Sequence, residues 1–349
     1  MAHPAAGPAR GGRRDRGDPG GPGVVGRPAA APVRPHRPDP RTVPVTRLRH
    51  HSVSILAVLL ALALGVALGG GPLSDLGKAV ADDGGSGRDA DTLAAELAAE
   101  RTAGDYQDEV TSGLVPAAVK GQLTLRPVSI VVLPGADQQT VAALTAGVAQ
   151  AGGTVSGRYG ARPDLLAPDK KSLVDTLSSQ VTEAVGTAAV APDATTYVRM
   201  GQLIGRAVAS VSDHGAATDQ AATDILGSLR GAKLMSSPAE TTQRGSLVLV
   251  VLGDEPTDKA GETNIYGGLL TGLASTADGV VVAGTTASAT GGVLQTLRAD
   301  DETAAVVSTV DSVQTEAGRL ATVLALAQEK QGGPRHYGVD GTDGPLPQG

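Results

Sequence analysis

Short apolar runs without polar alternation recur along the last two-thirds of the chain. The first, Val128–Leu133, ends at Pro134-Gly135. The predicted strands are Val128–Leu133, Thr154–Gly157, Leu247–Leu252, Val280–Ala283 and Ala304–Val307. Strands that are apolar on both faces are typical of parallel sheets covered by helices on both sides.

Apolar residues at three- and four-residue spacing predict helices between these strands. The last helix follows Asp311 and Gln314, which resemble a capping box, and it ends at Gly332-Gly333. The earlier predicted helices are Thr140–Gln150, Ser172–Val181, Tyr197–Val211, Asp219–Leu229, Ile265–Leu273 and Val293–Leu297. The prediction is therefore a parallel-sheet, Rossmann-like α/β body over residues 126–332, followed by a disordered tail over 333–349.

A different pattern precedes this body. Ser52–Ser74 contains no charged residue, and its centre, Val53–Leu68, is almost entirely apolar. At about 1.5 Å per residue this segment spans about 34 Å as a helix, against a hydrocarbon core of ~30 Å. Residues 47–76 are predicted to form a single transmembrane anchor. The alternatives are a secretory signal cleaved near Ala67–Gly69 and a buried core helix.

Charge differs between the two sides of this segment. Residues 1–51 hold ten Arg and three Asp, a net of +7, and the remainder holds 19 Lys+Arg and 33 Asp+Glu, a net of −14. The positive-inside rule then predicts a cytoplasmic N-terminus and an extracytoplasmic body at the cell membrane. The acidic exterior portion argues against nucleic acid as a partner.

The flanks of the anchor are low in complexity. Residues 1–46 combine ten Pro and eight Gly with Arg, and such a segment cannot bury enough apolar surface to offset its ordering entropy. It is predicted to be a disordered basic tail, unless the true start lies downstream. Residues 77–125 are predicted to be a flexible linker, 77–88, and a short helical stalk.

The stalk helix is predicted over Asp91–Leu114. Its apolar seam comprises Leu93, Leu97, Ala103, Tyr106, Val110 and Leu114. The seam covers about two heptads, whereas a coiled coil is indicated by three or four. A homo-oligomer formed through the stalk and a helix packed on the body both remain open.

Composition narrows the chemistry. The chain has no Cys, no Phe and no Trp, so disulfides and thiolate metal sites are excluded and the core must be aliphatic.

Three stretches resemble the mycobacterial-type copper transporter family, the MctB-like proteins of Actinobacteria. They are RLRHHSVSILAVLLALALGVALGGGPL (Arg47–Leu73), GVVVAGTTASATGG (Gly279–Gly292) and VSTVDSVQTEAGRLATVLALAQEKQGG (Val307–Gly333), the last followed by His336-Tyr337-Gly338. The resemblance implies a membrane-bound envelope protein of copper homeostasis. The chain departs from the family in its Arg/Pro/Gly tail and in the shorter, Gly-rich region after the anchor.

The residues themselves offer copper few ligands. Cu(I) prefers Cys and Met, and Cu(II) accepts imidazole, but the Met residues are far apart in sequence and His214 is the one His inside the predicted body. Asp213-His214 is predicted to be a solvated loop, and Met200 is predicted to be core. The remaining candidates are Met235, His336 in the tail, and Met1-Ala2-His3, which resembles an amino-terminal Cu(II) site. Copper is expected only as a transported ion, with no ligand set identified.

Other chemistry is no stronger. Gly135 and Gly253-Asp254 lie in strand-to-helix loops, where α/β sheets bind ligands, although simple turns explain them. Thr285, Thr286 and Ser288 could cradle an anion or cap a helix. Catalytic residues, a cofactor site and an enzymatic activity are not predicted, and a hydrolase or nucleotide-binding enzyme ranks third. The leading hypothesis is an envelope protein of copper homeostasis or copper transport. The alternative is a non-enzymatic envelope scaffold that acts through a protein partner.

Overall fold

The computed structural model describes residues 88–254 and 261–348. Its helices are α1 (Arg88–Val119), α2 (Gln138–Gln150), α3 (Pro163–Leu166), α4 (Lys171–Val185), α5 (Thr196–Val208), α6 (Gln220–Gly231), α7 (Glu262–Ala274), α8 (Thr286–Gly291), α9 (Val293–Ala299), α10 (Asp301–Ala304) and α11 (Glu316–Gly332). Its strands are β1 (Pro127–Val132), β2 (Thr154–Ala161), β3 (Ala216–Ala217), β4 (Met235–Ser236), β5 (Gln243–Arg244), β6 (Leu247–Val251), β7 (Gly279–Ala283), β8 (Ser308–Val310) and β9 (His336–Tyr337).

The central sheet has the order β4-β2-β1-β6-β7-β8-β9. Every neighbouring pair is parallel except β2 and β4. Its five main strands follow the order 2-1-3-4-5 of a doubly wound α/β fold. The prediction of a mostly parallel α/β body is confirmed.

The central strands are apolar on both faces because each face packs on a separate core. In β6, Val248 and Val250 point into the core that contains α5 and α7, whereas Leu247 and Leu249 point into the core that contains α2 and α11. Successive strand residues face opposite sides of a sheet. Five consecutive apolar residues are therefore needed to fill both cores.

Glycines let α5 and α7 approach each other closely. A Cβ on Gly201 would overlap the carbonyl oxygen of Leu269, and one on Gly272 would overlap that of Val198. Small residues at such a crossing permit near contact between helix backbones. The two helices consequently form a compact layer over the β1–β6 half of the sheet.

The C-terminal part of α1 belongs to the body. Thr111 and Val119 are buried, and the Asp108 carboxylate accepts a hydrogen bond of 3.1 Å from the backbone N–H of Glu316, at the start of α11. Leu123, in the following loop, is also fully buried. The predicted boundary at residue 126 is therefore wrong, because the body includes the end of the predicted stalk.

The N-terminal part of α1 extends beyond the carboxyl edge of the sheet. Asp108 lies beside the start of α11, which follows β8, and the 20 helical residues before it correspond to about 30 Å. From Thr92 to Tyr106 all residues are exposed except Glu96 and Glu100. The predicted single seam is wrong, since Leu97 and Tyr106 are nine residues, or two and a half turns, apart and lie on opposite faces.

The prediction of a disordered tail after Gly332 is wrong for residues 333–348. Strand β9 pairs with β8 in parallel, with Thr309 opposite His336 and Val310 opposite Tyr337. Tyr337 and Leu346 are buried in the core beneath α11. This added strand and its apolar anchors hold the C-terminal segment on the sheet.

The last predicted strand is displaced. Residues 301–304 form α10, and β8 begins at Ser308, after the predicted run Ala304–Val307. Ser308 and Thr309 are buried although they are polar. A prediction based on hydropathy therefore placed the strand at the apolar residues that precede them.

The predicted tail over 1–46, the anchor over 47–76 and most of the linker lie outside the described residues. Between Arg88 and Gln348, leaving aside residues 255–260, no helix has the length and apolarity to cross a bilayer.

Candidate functional site

The switch point of the sheet lies between β1 and β6, where doubly wound folds commonly bind ligands. Here the backbones approach closely: a Cβ on Gly253 would overlap the carbonyl oxygen of Pro134, and Leu133 N–H donates to Val251 O over 2.9 Å. Gly135 has a φ of 78°, which a turn requires. Gly135 therefore serves as a turn residue, and Gly253 permits the close backbone contact.

The hydroxyl groups after β7 cap a helix. Thr285 is the N-cap of α8, and its Oγ1 accepts from Ser288 N over 3.2 Å and donates to Asp254 Oδ1 over 2.5 Å. Thr286 Oγ1 lies 3.0 Å from Ser312 Oγ. The capping interpretation is confirmed for Thr285, and the hydroxyl groups of Thr285 and Thr286 are engaged in hydrogen bonds within the protein.

Asp311 is a fully buried carboxylate at the same carboxyl edge. It accepts from Ser312 Oγ at 2.7 Å, from Val339 N at 2.7 Å and from Asp340 N at 3.0 Å. Arg298 Nη1 donates to it over 2.9 Å. The predicted capping box is wrong, because the N-cap of α11 is Thr315 and Asp311 instead binds the C-terminal segment.

Asp311, Arg298 and the backbone from Tyr337 to Asp340 form a cluster that we call the latch. Arg298 Nε donates to Thr309 Oγ1 over 2.8 Å, and Arg298 Nη2 donates to Tyr337 O over 2.7 Å. Buried charges are tolerated when they are paired and fully hydrogen-bonded. The latch accounts for the order of residues 333–348, and sequence reasoning missed Arg298 entirely.

A second charged cluster lies at the amino edge. Arg126 Nη2 and Asp278 Oδ2 form an ion pair of 2.6 Å. Glu329, on α11, accepts from Val280 N over 3.2 Å. Burial raises the pKa of Glu329 to about 7, although a hydrogen bond with Ser308 opposes the shift. Local periodicity gave no signal for this site, since Glu329 sits in a polar stretch of sequence.

A polar cleft of about 630 Å³ opens between α4, α5, α7 and α10. Lys171, Asn264 and Glu302 line it. Arg199 is engaged on its wall, with Nη1 donating to Ser179 Oγ over 2.8 Å. The lining carries charges of both signs, so it selects no single class of ligand.

The copper candidates are dispersed. His214 is exposed, with Nδ1 3.2 Å from Leu125 O. His336 is part of β9, with Nδ1 3.0 Å from Thr309 Oγ1, and burial together with the Arg298 charge lowers its pKa. Met200 and Met235 are buried in the core, as predicted for Met200.

Within 88–254 and 261–348, no group of three or more His, Cys, Asp or Glu residues is arranged to hold a metal ion. Met1 and His3 lie outside these residues.

The sequence matches the profile of the family described as "Copper transport outer membrane protein, MctB" over residues 46–347. The chain belongs to this family. The copper transporter MctB of Mycobacterium tuberculosis (strain ATCC 25618 / H37Rv) is 30% identical over 307 residues, covering 84% of this chain and 96% of that protein. The Mycobacterium leprae (strain TN) copper transporter MctB is 30% identical over 334 residues, with the same coverage of both chains.

The family match covers the α/β body up to residue 347. Two segments that carry the resemblance, Gly279–Gly292 and Val307–Gly333, form β7 with α8 and β8 with α11. These segments contain the α8 cap, Asp311 and Glu329. The resemblance therefore falls on residues that build both charged edges of the sheet.

Proposed function

We propose that this chain is a membrane-anchored protein of the cell envelope that serves copper homeostasis or copper transport. The observation that carries the proposal is the family match over residues 46–347, joined by relatives that are named copper transporters. Copper is the cargo in this proposal rather than a resident cofactor.

Deletion of the gene tests this function. We expect the deletion strain to retain more copper than its parent and to grow less well in added copper salt. Expression of the full-length chain restores both properties. Unchanged cellular copper in the deletion strain would contradict the proposal.

The proposed topology places residues 1–46 in the cytoplasm, 47–76 in the membrane and the α/β body outside the cytoplasm. Its support is the uncharged segment Ser52–Ser74 with Arg47 and Arg49 before it. A reporter active only in the cytoplasm should work when fused before Arg47 and fail when fused after Gln348.

Leu60→Arg tests the anchor, because a charge at the middle of the membrane costs about 2.5–3.5 kcal/mol on insertion scales. We expect the variant to leave the membrane fraction or to fail in export. Ser86→Arg, in the linker, is the control and should remain in the membrane. Mature protein that starts near Gly70 would instead indicate a cleaved signal.

The body is proposed to be non-enzymatic and to lack a tight copper site. The support is that the hydroxyls at the carboxyl edge are already engaged in hydrogen bonds within the protein, such as Thr286 Oγ1 with Ser312 Oγ, and that His214 and His336 serve different parts of the fold. The full-length protein should therefore bind Cu(I) or Cu(II) weakly in a competition assay with a colorimetric chelator. Stoichiometric, tight binding would overturn this part of the proposal.

A structural scaffold for another envelope protein is the second candidate function. The close backbone contact at the switch point favours it, because Gly253 and Pro134 approach each other where this fold usually binds a ligand. A deletion strain with normal copper content but a missing or mislocalised envelope protein would favour this function over copper transport.

Self-association through α1 is proposed to involve its N-terminal part. Leu93 and Leu97 are about half exposed, and they continue the face on which Thr111 is buried. Leu97→Asp should abolish cross-linked dimers in membranes, and Tyr106→Asp, on the opposite face, should preserve them. Cross-linking that is equal in both variants would exclude this face.

A further inference from the structure

Glu329 occupies an unusual position at the amino edge of the sheet. Its side chain lies over Gly279, where an added Cβ would come within 2.5 Å of Glu329 Cβ. The carboxylate accepts from Val280 N over 3.2 Å. Ser308, its other hydrogen-bond partner, also accepts from Arg335 N over 2.9 Å. The carboxylate thus joins the end of α11 to β7, β8 and the connection that leads to β9.

The charges around Glu329 do not balance. Arg126 is already paired with Asp278, and both side chains are largely buried, with 16% and 12% exposure. Among the side chains that the structure describes, Glu329 is therefore a second, partly buried carboxylate beside one guanidinium. Its hydrogen-bond partners, Val280 N–H and Ser308, are neutral. Desolvation in such a site disfavours the ionised carboxylate and favours the protonated one.

The groups that face Glu329 come from three elements. Arg126 precedes β1, Asp278 precedes β7, and Tyr337 lies on β9. Arg126 favours the ionised carboxylate and Asp278 disfavours it. The phenol of Tyr337 carries no charge near neutral pH, so the Arg126–Asp278 pair sets the electrostatic balance.

We propose that Glu329 acts as a proton-operated clamp that holds the C-terminal end of α11 and the following β9 segment against the amino edge of the sheet. In its protonated form the carboxyl group fits the buried site without adding charge. In its ionised form it places an uncompensated negative charge beside Asp278, and the helix end loosens. This proposal goes beyond copper homeostasis and does not depend on it.

The sign of the pH dependence follows from the raised pKa of Glu329. Its pKa is about 7 in the closed form and 4.5 in the ordinary, solvated state. Stability from the clamp is then fully present below about pH 4.5 and is lost as pH rises through about 7. Between pH 6 and pH 8 linkage predicts that the equilibrium constant for local opening rises about tenfold.

Hydrogen–deuterium exchange of the full-length protein in detergent micelles tests the clamp. We expect peptides covering residues 326–337 to open about tenfold more at pH 8 than at pH 6, after correction for intrinsic exchange. Glu329→Gln should remove this difference. Glu316→Gln is the control. Glu316 lies at the other end of the same helix, where it pairs with Arg319, and the variant should retain the difference.

Asp278→Asn provides a second test that keeps Glu329. It removes the repelling carboxylate and frees Arg126 to attract Glu329, so the opening transition should shift to a lower pH. A tenfold change that persists in Glu329→Gln would overturn the proposal, as would wild-type exchange that is flat with pH. A transition that does not move in Asp278→Asn would also overturn it.

Discussion

The two edges of the sheet hold a carboxylate in opposite ways, with Asp311 fully buried and Glu329 partly buried. At the carboxyl edge, Asp311 accepts from a hydroxyl, two backbone N–H groups and Arg298. At the amino edge, Glu329 has a backbone N–H and Ser308 and must share Arg126 with Asp278. The number and charge of the donors around each carboxylate, rather than burial alone, therefore distinguish the two edges.

The arginines at the two edges, Arg298 and Arg126, also differ in how many hydrogen bonds they donate. All three guanidinium nitrogens of Arg298 donate hydrogen bonds within the latch. Arg126 donates from Nη2, and its buried Nε has no hydrogen-bond partner among the residues that the structure describes. A planar guanidinium contributes most where its fixed fork meets several acceptors. Arg298 is accordingly expected to be the more important of the two for stability.

Replacing the two arginines gives the largest expected effect. Arg298→Ala leaves Asp311 buried without a counter-charge and should lower the free energy of unfolding by about 3–5 kcal/mol. Arg126→Ala should cost less, about 2 kcal/mol, because protonation of Glu329 relieves part of the excess negative charge. Denaturant titration of the full-length protein at pH 7 measures both values. Equal losses would contradict the difference between the edges.

Gly338→Ala tests the latch by steric means. Gly338 has a φ of 120°, and a Cβ there would overlap the Asp311 carboxylate. We expect a loss of about 2–3 kcal/mol in the free energy of unfolding and faster exchange of residues 336–346. Gly344→Ala is the matched control, since its φ is also positive, 94°, but nothing lies within 4 Å of its Cβ. A similar loss in both variants would mean that backbone strain, not the latch, causes it.

Global stability should depend on pH through the amino edge. Because the pKa of folded Glu329 is raised to about 7, its stabilising contribution falls as pH rises from 6 to 8. The advantage of Glu329→Gln over the wild type should therefore grow by about 1.4 kcal/mol across this interval. Denaturant titrations at the two pH values measure the change, and a constant difference would argue against titration of Glu329.

The smallest effect is expected for His214→Ala. His214 is exposed, and its ring contacts Leu125 O, whereas its bond from Gln243 Nε2 is to the backbone carbonyl, which the variant keeps. The free energy of unfolding should change by less than about 0.5 kcal/mol, and copper tolerance of the strain should be intact. Loss of copper tolerance in a stably folded His214→Ala protein would identify a copper ligand outside both edges.

Local sequence patterns determined the architecture of the body. Five apolar residues in a row at Leu247–Val251 can be buried only in a strand with a core on each side, and that constraint predicted a parallel sheet before its order was known. The 3–4 spacing in Tyr197–Val211 predicted α5 within one residue of its observed start, although the helix ends earlier, at Val208. The motifs from Gly279 onward indicated the family.

Tertiary structure alone decided the two charged edges and the fate of the C-terminal segment. Asp311 meets Val339 and Asp340 almost thirty residues later, and Glu329 meets Val280 forty-nine residues earlier. Helix and strand periodicity reports which residues are buried, but it does not specify the polar partner of a buried charge. The fold sets that partner by bringing particular strand ends together. In this protein those ends are neighbours because β7, β8 and β9 pair in parallel.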